Sequence, residues 1–366
     1  MKLKLKPWID SLPEYIAGKT IDEIRKKYNL KKVYKMASNE NIVGPCIKVK
    51  QYIKKNLEDI NYYPDSEAVE IRQKIADKFN VLCDNVIMGN GTDQIIEMLC
   101  DCFIDRKDNI VTSSPNFLIY EKATLKNGGD VIKVPLKEKV LKQDIEKILN
   151  SINKKTKIVF LTSPHNPTGT IIEADELKLI IKNTPRDVII AIDEAYYEYI
   201  EEKDRIDTVS LVRENLNLLT LRTFSKIYGL AGLRIGYAIA CQEIISALNK
   251  IRLPFNTTLI SQRAAVIALE NDWYIEKIRQ DINIEKRKFY DAFDELGIDY
   301  IKSYANFILV KIGIKSRIII EKLLESSFIV RPGENLGVPG YIRITISTSK
   351  INEKFLKKFK EIYSLI

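Results

Sequence analysis

The sequence is poor in histidine and lacks the cysteine spacing of a metal site. Its 366 residues include one histidine, His165, and five cysteines without a Cys-x-x-Cys pair. Structural zinc needs four ligands, mainly cysteine and histidine, so we expect no metal and interpret the cysteines as reduced thiols. The scarcity of histidine also removes the usual general base. If the chain is an enzyme, another group has to move protons.

Long apolar runs and blocks of like charge are also missing. No segment approaches the ~20 uninterrupted apolar residues of a membrane-spanning helix, and the basic residues 1–6 lack the apolar core of a signal peptide. The net charge is +9, but lysines alternate with acidic residues along the chain, which is typical of solvated helix faces. We expect a cytoplasmic protein without nucleic-acid or membrane partners.

Short apolar runs rich in β-branched residues alternate with helical patterns. Runs typical of strands buried on both faces cover residues 109–113, 157–162, 187–192 and 218–222. Helical patterns cover residues 67–79, 93–103 and 173–182. This order predicts an α/β fold with a mainly parallel sheet between helices.

The length of the chain allows a large and a smaller domain. A long helical pattern over residues 273–296 precedes a change in composition towards short strands followed by helices. We predict an N-terminal arm that contributes to the small domain over residues 1–50. The large domain is predicted over 51–272, and a smaller α+β domain over 273–366.

Lys226 is the candidate for covalent chemistry. It comes directly after Ser225, close to the end of a predicted strand, and Arg234 follows eight positions later. A lysine amine condenses with an aldehyde to form a Schiff base, while neighbouring hydroxyls and a guanidinium bind a phosphate dianion. Alone this motif is weak, because most of the many lysines are expected to be solvated.

Two further motifs follow buried strands. Asp193 ends one strand, where α/β sheets bind ligands, and a buried aspartate there suits the protonated pyridine nitrogen of pyridoxal phosphate (PLP). A helix N-cap is a second role that its position before Glu194 permits, and the two roles are compatible. Asn166, in the Ser163–Gly169 loop, has an amide suited to the phenolic oxygen of the same ring, and the Tyr196 hydroxyl is a second candidate donor to that oxygen. Without the other motifs, this loop would be interpreted only as a turn.

Two weaker features support a cofactor site. Gly89–Asp93 opens a predicted helix, whose free N–H groups bind anions such as a phosphate, although such loops are common. Phe117 offers a flat face for stacking on a ring, and a core position is its alternative.

Together these motifs resemble the fold-type I PLP-dependent aminotransferases, and within them the histidinol-phosphate group. The resemblance also covers Tyr15–Lys19, Ala37–Asn41, Tyr62–Asp65 and Ile342–Ile346, and so spans nearly the whole chain. It implies that Lys226 holds PLP as a Schiff base, Asp193 pairs with the pyridine nitrogen and Phe117 stacks on the ring. It also implies that Asn166 and Tyr196 bind the phenolic oxygen.

The resemblance implies a homodimer with a shared active site. The phosphate-binding residues that it implies are Thr92, Asp93, Thr223, Ser225 and Arg234, with Tyr63 from the second subunit. Ala17, His165 and Ser347 stand where the family usually has proline, asparagine and glycine. For His165, a loop role and a substrate contact both remain open.

Two arginines match substrate-binding positions of the resembled family. Arg343 corresponds to the arginine for the substrate's anionic end, Arg331 to a second one in the histidinol-phosphate group, and Tyr15 adds a hydroxyl. Two guanidinium forks suit a phosphate dianion, while a surface ion pair is the alternative for each arginine. The resemblance thus implies amino transfer between L-histidinol phosphate and 2-oxoglutarate, in histidine biosynthesis.

Other functions remain open on the same fold. They include an aromatic or broad-range aminotransferase and a threonine-phosphate decarboxylase, because fold alone does not select a substrate. A non-catalytic PLP-fold binding protein is the alternative from another class. If such a protein acted on DNA it would need a helix-turn-helix module, for which we expect no room.

Overall fold

The apolar runs of the sequence form strands in the computed structural model, which describes residues 4–12 and 18–366. The strands of the described residues are β1 (Tyr34–Lys35), β2 (Val86–Gly89), β3 (Asn109–Ser114), β4 (Asp130–Pro135), β5 (Thr156–Thr162), β6 (Ile189–Asp193), β7 (Leu218–Thr223), β8 (Gly236–Ala240), β9 (Tyr300–Ile301), β10 (Phe307–Lys311), β11 (Phe328–Ile329), β12 (Arg331–Pro332) and β13 (Tyr341–Thr345).

The α-helices alternate with these strands over much of the chain. Those of the described residues are α1 (Ile21–Lys27), α2 (Ile47–Lys55), α3 (Val69–Phe79), α4 (Gly91–Phe103), α5 (Leu118–Lys126), α6 (Ile145–Ser151), α7 (Ala174–Asn183), α8 (Thr208–Glu214), α9 (Gln242–Ile251), α10 (Leu259–Leu269), α11 (Asp272–Glu295), α12 (Ser316–Glu325) and α13 (Ser349–Ser364).

A seven-stranded sheet with the order β2-β8-β7-β6-β5-β3-β4 is the centre of the fold. The neighbouring strands β7, β6, β5, β3 and β4 run parallel to one another. Strand β8 is antiparallel to both of its neighbours, β2 and β7. Successive residues of β6 enter different cores: Ile190 and Ile192 pack in one hydrophobic cluster, Ile189 and Ala191 in another. This burial of both faces explains the uninterrupted apolar runs, and the predicted α/β fold is confirmed.

A second, antiparallel sheet has the order β12-β13-β10-β9. The short strand β1 pairs in parallel with β11, so residues near the start of the chain join elements near its end. Among the described helices none is long and apolar enough to cross a membrane.

Candidate active site

One cavity of about 540 Å³ collects six of the predicted site residues. They are Phe117, Asn166, Tyr196, Lys226, Arg331 and Arg343. Four of the six follow the carboxyl ends of β3, β5, β6 and β7, which meet at one edge of the sheet, as is usual for ligand sites in α/β folds. The two arginines come from the antiparallel sheet, on β12 and β13.

Asp193, the last residue of β6, is only 4% exposed. Its Oδ2 atom accepts a hydrogen bond of 2.6 Å from the Tyr120 hydroxyl, and Oδ1 accepts one of 3.0 Å from the Ala195 N–H. Burial raises the pKa of the carboxyl to about 6, although the bonds from Tyr120 and Ala195 lower it. The next helical turn begins at Tyr197, so the bond to Ala195 closes an Asx turn and Asp193 is not an N-cap.

Tyr196 is held by Asn39, which lies in the Ala37–Asn41 segment but was not predicted as a site residue. Its hydroxyl accepts a 2.8 Å hydrogen bond from Nδ2 of Asn39, which is buried. The Asn39 N–H donates to the Thr345 hydroxyl, and that hydroxyl donates to Asn39 Oδ1, each over 3.0 Å. The ammonium of Lys226 lies 5.4 Å from the centroid of the Tyr196 ring. Asn39 thus links β13 to the end of β6.

Asn166 and Arg343 contact each other directly. Arg343 donates from Nη1 to Oδ1 of Asn166 and from Nη2 to the carbonyl of Ala37, the second bond being 2.8 Å long. Because Arg343 is only 5% exposed, a surface ion pair is the wrong interpretation of this residue. Arg331 is its partner in the antiparallel register of β12 and β13. Tyr15 lies outside the described residues.

A second cluster lies at the start of α4. Arg234 donates from Nη1 to the Ser225 hydroxyl over 3.2 Å and from Nη2 to Oδ2 of Asp93 over 3.3 Å. The Ser225 N–H donates to the Thr223 hydroxyl over 3.1 Å. Gly91, with φ of +72°, has no side chain in the way, whereas a Cβ atom there would collide with the Arg234 guanidinium.

This arrangement has the donors that a phosphate dianion needs. Thr92 and Asp93 lie in the first turn of α4, whose N–H groups have no partners within the helix, and Arg234 supplies a positive charge beside them. A Cβ atom on Gly236 would come within 2.9 Å of the Thr92 nitrogen, so glycine also keeps this side of the site open. The residues therefore fit a phosphate-bearing cofactor.

Phe117 precedes α5 and lines the cavity. Its ring makes an edge contact with Tyr120, with 5.7 Å between centroids. Tyr120, one helical turn further on, is fully buried and bonded to Asp193. Tyr120 was not among the predicted site residues, and no motif in the sequence relates it to Asp193.

Tyr63 lies on the surface of its own chain. Its side chain is 80% exposed and stacks on Phe255, with 4.6 Å between ring centroids. This exposure leaves the Tyr63 side chain accessible to a second subunit.

His165 is fully buried inside its loop. Nε2 lies 3.1 Å from the Pro115 carbonyl, which only accepts, so this nitrogen carries the hydrogen. Nδ1 then accepts from the Thr168 hydroxyl over 2.9 Å. Burial lowers the pKa of His165 to about 4, so the imidazole is neutral near pH 7. These contacts favour the loop role over a substrate contact.

Within residues 4–12 and 18–366, no group of three or more histidine, cysteine, aspartate or glutamate residues is arranged to hold a metal ion. The site instead combines Lys226, the buried Asp193 and the anion-binding cluster at the start of α4, at the edge of a mainly parallel sheet. These parts define a class of α/β site that binds an aldehyde cofactor carrying a phosphate.

The family comparison agrees with that class. The model of the family described as aminotransferase class I and II matches residues 31–359, and the chain belongs to this family. Histidinol-phosphate aminotransferase of Caldicellulosiruptor saccharolyticus is 41% identical to it, over 97% of this chain and 98% of that protein. The protein of the same name from Brevibacillus brevis is 42% identical, over 98% of each.

A solved structure has the same fold. The crystal structure of histidinol-phosphate aminotransferase from Sinorhizobium meliloti in complex with pyridoxal-5'-phosphate matches with a TM-score of 0.90 and 25% identity, over 100% of this chain and 99% of that one. The predicted family, fold class and PLP cofactor are thereby confirmed.

Proposed function

We propose that the chain catalyses reversible amino transfer between L-histidinol phosphate and 2-oxoglutarate, giving imidazole acetol phosphate and L-glutamate, in histidine biosynthesis. The observation that carries this proposal is the pairing of Arg331 with Arg343 across β12 and β13, in the cavity that also contains Lys226. Two planar guanidinium groups suit the dianionic phosphate of this substrate. Relatives that bear this name match nearly the full chain at 41% and 42% identity.

PLP, when bound, supplies an electron sink that stabilises negative charge at the substrate's α-carbon. Lys226 would hold it covalently through Nζ, and Asp193 would stay ionised opposite the pyridine nitrogen. Phe117 would stack on the ring face, and Tyr196 would donate to the phenolic oxygen. Asn166 would act there through Nδ2, because its Oδ1 atom is bonded to Arg343.

The phosphate of the cofactor would bind in the cluster at the start of α4. Its ligands would be the N–H groups at Thr92 and Asp93, the hydroxyls of Thr223 and Ser225, and the guanidinium of Arg234. Arg234 already donates to Asp93 and Ser225, and this fixes its direction.

Lys226 would also move the proton at the substrate's α-carbon. His165 is buried and both of its ring nitrogens are within hydrogen-bond distance of groups of its own fold, so it does not serve as a base. Lys226 lines the same cavity as the arginines that would orient the substrate. This assignment accounts for catalysis in a chain with a single histidine.

The proposal includes a cytoplasmic homodimer. Tyr63 would reach the phosphate cluster of the second subunit, which agrees with its 80% exposure on its own chain. The five cysteines are free thiols, as expected in a reducing compartment. The arm over residues 1–50 and the domains over 51–272 and 273–366 remain the proposed division of the chain.

The deciding experiment is an assay of the purified, PLP-loaded protein with L-histidinol phosphate, with and without 2-oxoglutarate. We expect turnover only when both are present. A decarboxylase would need no 2-oxoglutarate, and a non-catalytic protein would turn over neither. Activity with phenylalanine but none with L-histidinol phosphate would overturn the proposed substrate.

Arg331→Met provides a matched test of phosphate recognition. Loss of a charge-assisted contact of about 1.5–3 kcal/mol predicts a fall in kcat/KM of about 10- to 150-fold for L-histidinol phosphate. Histidinol without the phosphate is the control substrate, and its kcat/KM should change much less. An equal fall for both substrates would show that Arg331 does not bind the phosphate.

A further inference from the structure

A buried hydrogen-bond chain starts at Asp193 and leads away from the cavity. The Tyr120 hydroxyl lies 2.6 Å from Asp193 Oδ2 and 3.1 Å from the Thr162 hydroxyl. The Thr162 hydroxyl in turn lies 2.9 Å from Oδ1 of Asn116. Tyr120, Thr162 and Asp193 are each at most 4% exposed, so these bonds form in a dry environment. There, an unpaired carboxylate is costly.

The number of hydrogens in this chain determines its direction. An ionised carboxylate only accepts, so Tyr120 gives its single hydroxyl hydrogen to Asp193. The Tyr120 oxygen is then left as an acceptor towards Thr162. A protonated Asp193 could itself donate, and the hydrogens would then run from Tyr120 to Thr162 and from Thr162 to Asn116. With Asp193 ionised, Tyr120 and Thr162 have two hydroxyl hydrogens for three oxygen–oxygen contacts, so Thr162 donates either to Tyr120 or to Asn116. The hydrogen of Tyr120 goes to Asp193 in either case.

Packing leaves the Tyr120 hydroxyl little freedom to turn away. The ring is stacked on Phe160, with 4.5 Å between centroids and 4° between planes, and Phe117 contacts it edge-on. Asn116 is fixed by two bonds of 2.9 Å from its Nδ2 atom, to the hydroxyls of Thr112 and Ser113. Tyr120 is thus held by its packing in α5, and Asn116 by its bonds to the end of β3.

Other charged groups also act on Asp193. Burial raises the pKa of its carboxyl to about 6, and Asp93 at the start of α4 raises it further. Tyr120, the Ala195 N–H and Lys226, which follows β7, lower that pKa. Among these opposing groups the hydrogen bond from Tyr120 has the largest effect.

We infer that Tyr120 is a positioning residue for Asp193: its hydroxyl keeps the carboxylate ionised and oriented, and the Thr162 hydroxyl is its neighbour on the other side. For its consequence this inference rests on the proposed function, because an ionised Asp193 is what would keep the pyridine nitrogen of PLP protonated. The contact itself involves only protein groups, so it is also testable without the cofactor.

The first test uses the protein without cofactor and follows urea unfolding between about pH 4 and pH 8. The difference in unfolding free energy between the wild type and Asp193→Asn reports the apparent pKa of Asp193. The same difference in unfolding free energy is then measured between the Tyr120→Phe variant and the double variant that carries both Tyr120→Phe and Asp193→Asn. We expect the apparent pKa to rise by about one unit in the Tyr120→Phe pair. Equal apparent pKa values in the two pairs, with all proteins folded, would overturn the inference.

A purely structural role of Tyr120 predicts another pattern. The loss of stability in Tyr120→Phe would then be the same at every pH and would persist in the Asp193→Asn background. Tyr228→Phe is the matched control, since Tyr228 is also buried and packs on the aromatic ring of Phe224. We expect this variant to leave the apparent pKa of Asp193 unchanged.

The second test measures binding of PLP to the cofactor-free protein by fluorescence quenching. If PLP binds the ionised carboxylate, a rise of one unit in the pKa of Asp193 predicts about tenfold weaker binding by Tyr120→Phe below that pKa, where the carboxyl is mostly protonated, and little loss above it. A loss of affinity independent of pH would count against the inference. Neither test uses an amine substrate, so a wrong proposed substrate would leave both results intact.

Discussion

Arg222 and Glu194 form an ion pair that is enclosed by the protein. Nε lies 2.9 Å from Oε2, and the side chains are 1% and 3% exposed. The Thr208 hydroxyl donates to the same carboxylate over 2.8 Å. Arg222 belongs to β7, and Glu194 directly follows β6, so the pair ties together the strands that lead to Lys226 and Asp193.

Replacing Arg222 should destabilise the protein strongly. Arg222→Met leaves Glu194 charged, buried and without its cation, and the loss of one partner from a buried pair typically costs about 3–5 kcal/mol. Urea unfolding would measure this loss. Arg25→Met is the control, because Arg25 pairs with Asp22 on the surface and should contribute less than about 1 kcal/mol. Equal effects of the two changes would contradict this account.

Glu198 should make the protein less stable as the pH rises. Burial raises the pKa of its carboxyl to about 7, although Arg222 lowers it. The folded state therefore keeps a proton that the unfolded state loses near pH 4.5, and its stabilising effect disappears as the pH rises through 7. We expect the unfolding free energy of the wild type relative to Glu198→Gln to fall by about 3 kcal/mol between pH 4 and pH 8. Urea unfolding at intervals across this range would measure it.

Glu214→Gln, which makes the same change at an exposed glutamate, is the matched control for Glu198. A fall of the same size in this pair would show that the burial of Glu198 is not its cause. Parallel curves for the wild type and Glu198→Gln would show that the Glu198 carboxyl titrates alike in the folded and unfolded states.

The strands could be predicted because their cause is local. The apolar run at 157–162 became β5, Thr156–Thr162, since burial on both faces of a sheet leaves a continuous apolar run in the sequence. Asp193 and Lys226 could be identified in the same way, by their place after such runs.

The contacts that orient those residues could not be predicted. Tyr120 and Asp193 are 73 positions apart, and Asn39 and Thr345 are 306 apart. No periodicity or spacing relates residues at such distances, because they meet only once the sheets have assembled. The sequence motifs therefore identified groups at the cavity, and the structure supplied the residues behind them.

His165 should be replaceable by asparagine. The side chain of asparagine offers an acceptor close to the position of Nδ1, which accepts from Thr168, and no proton transfer is assigned to the imidazole. We expect kcat/KM of His165→Asn within about threefold of the wild type. His165→Leu removes both polar contacts and should lower the unfolding free energy by about 1–3 kcal/mol. Complete loss of activity in a folded His165→Asn protein would instead assign chemistry to this residue.

Hybrid dimers would test whether Tyr63 acts across the subunit boundary. Lys226→Ala should abolish turnover, and Tyr63→Ala should weaken it by loosening the phosphate site of the other subunit. In a hybrid of these two variants, one site has both defects and the other has neither.

Refolding an equal mixture should thus restore intact sites to about a quarter of the total, because half of the dimers are hybrids. If Tyr63 served its own subunit, every hybrid would contain one site without Lys226 and one without Tyr63, and mixing would restore no intact site. Steady-state assay of the mixture against each parent distinguishes the two arrangements.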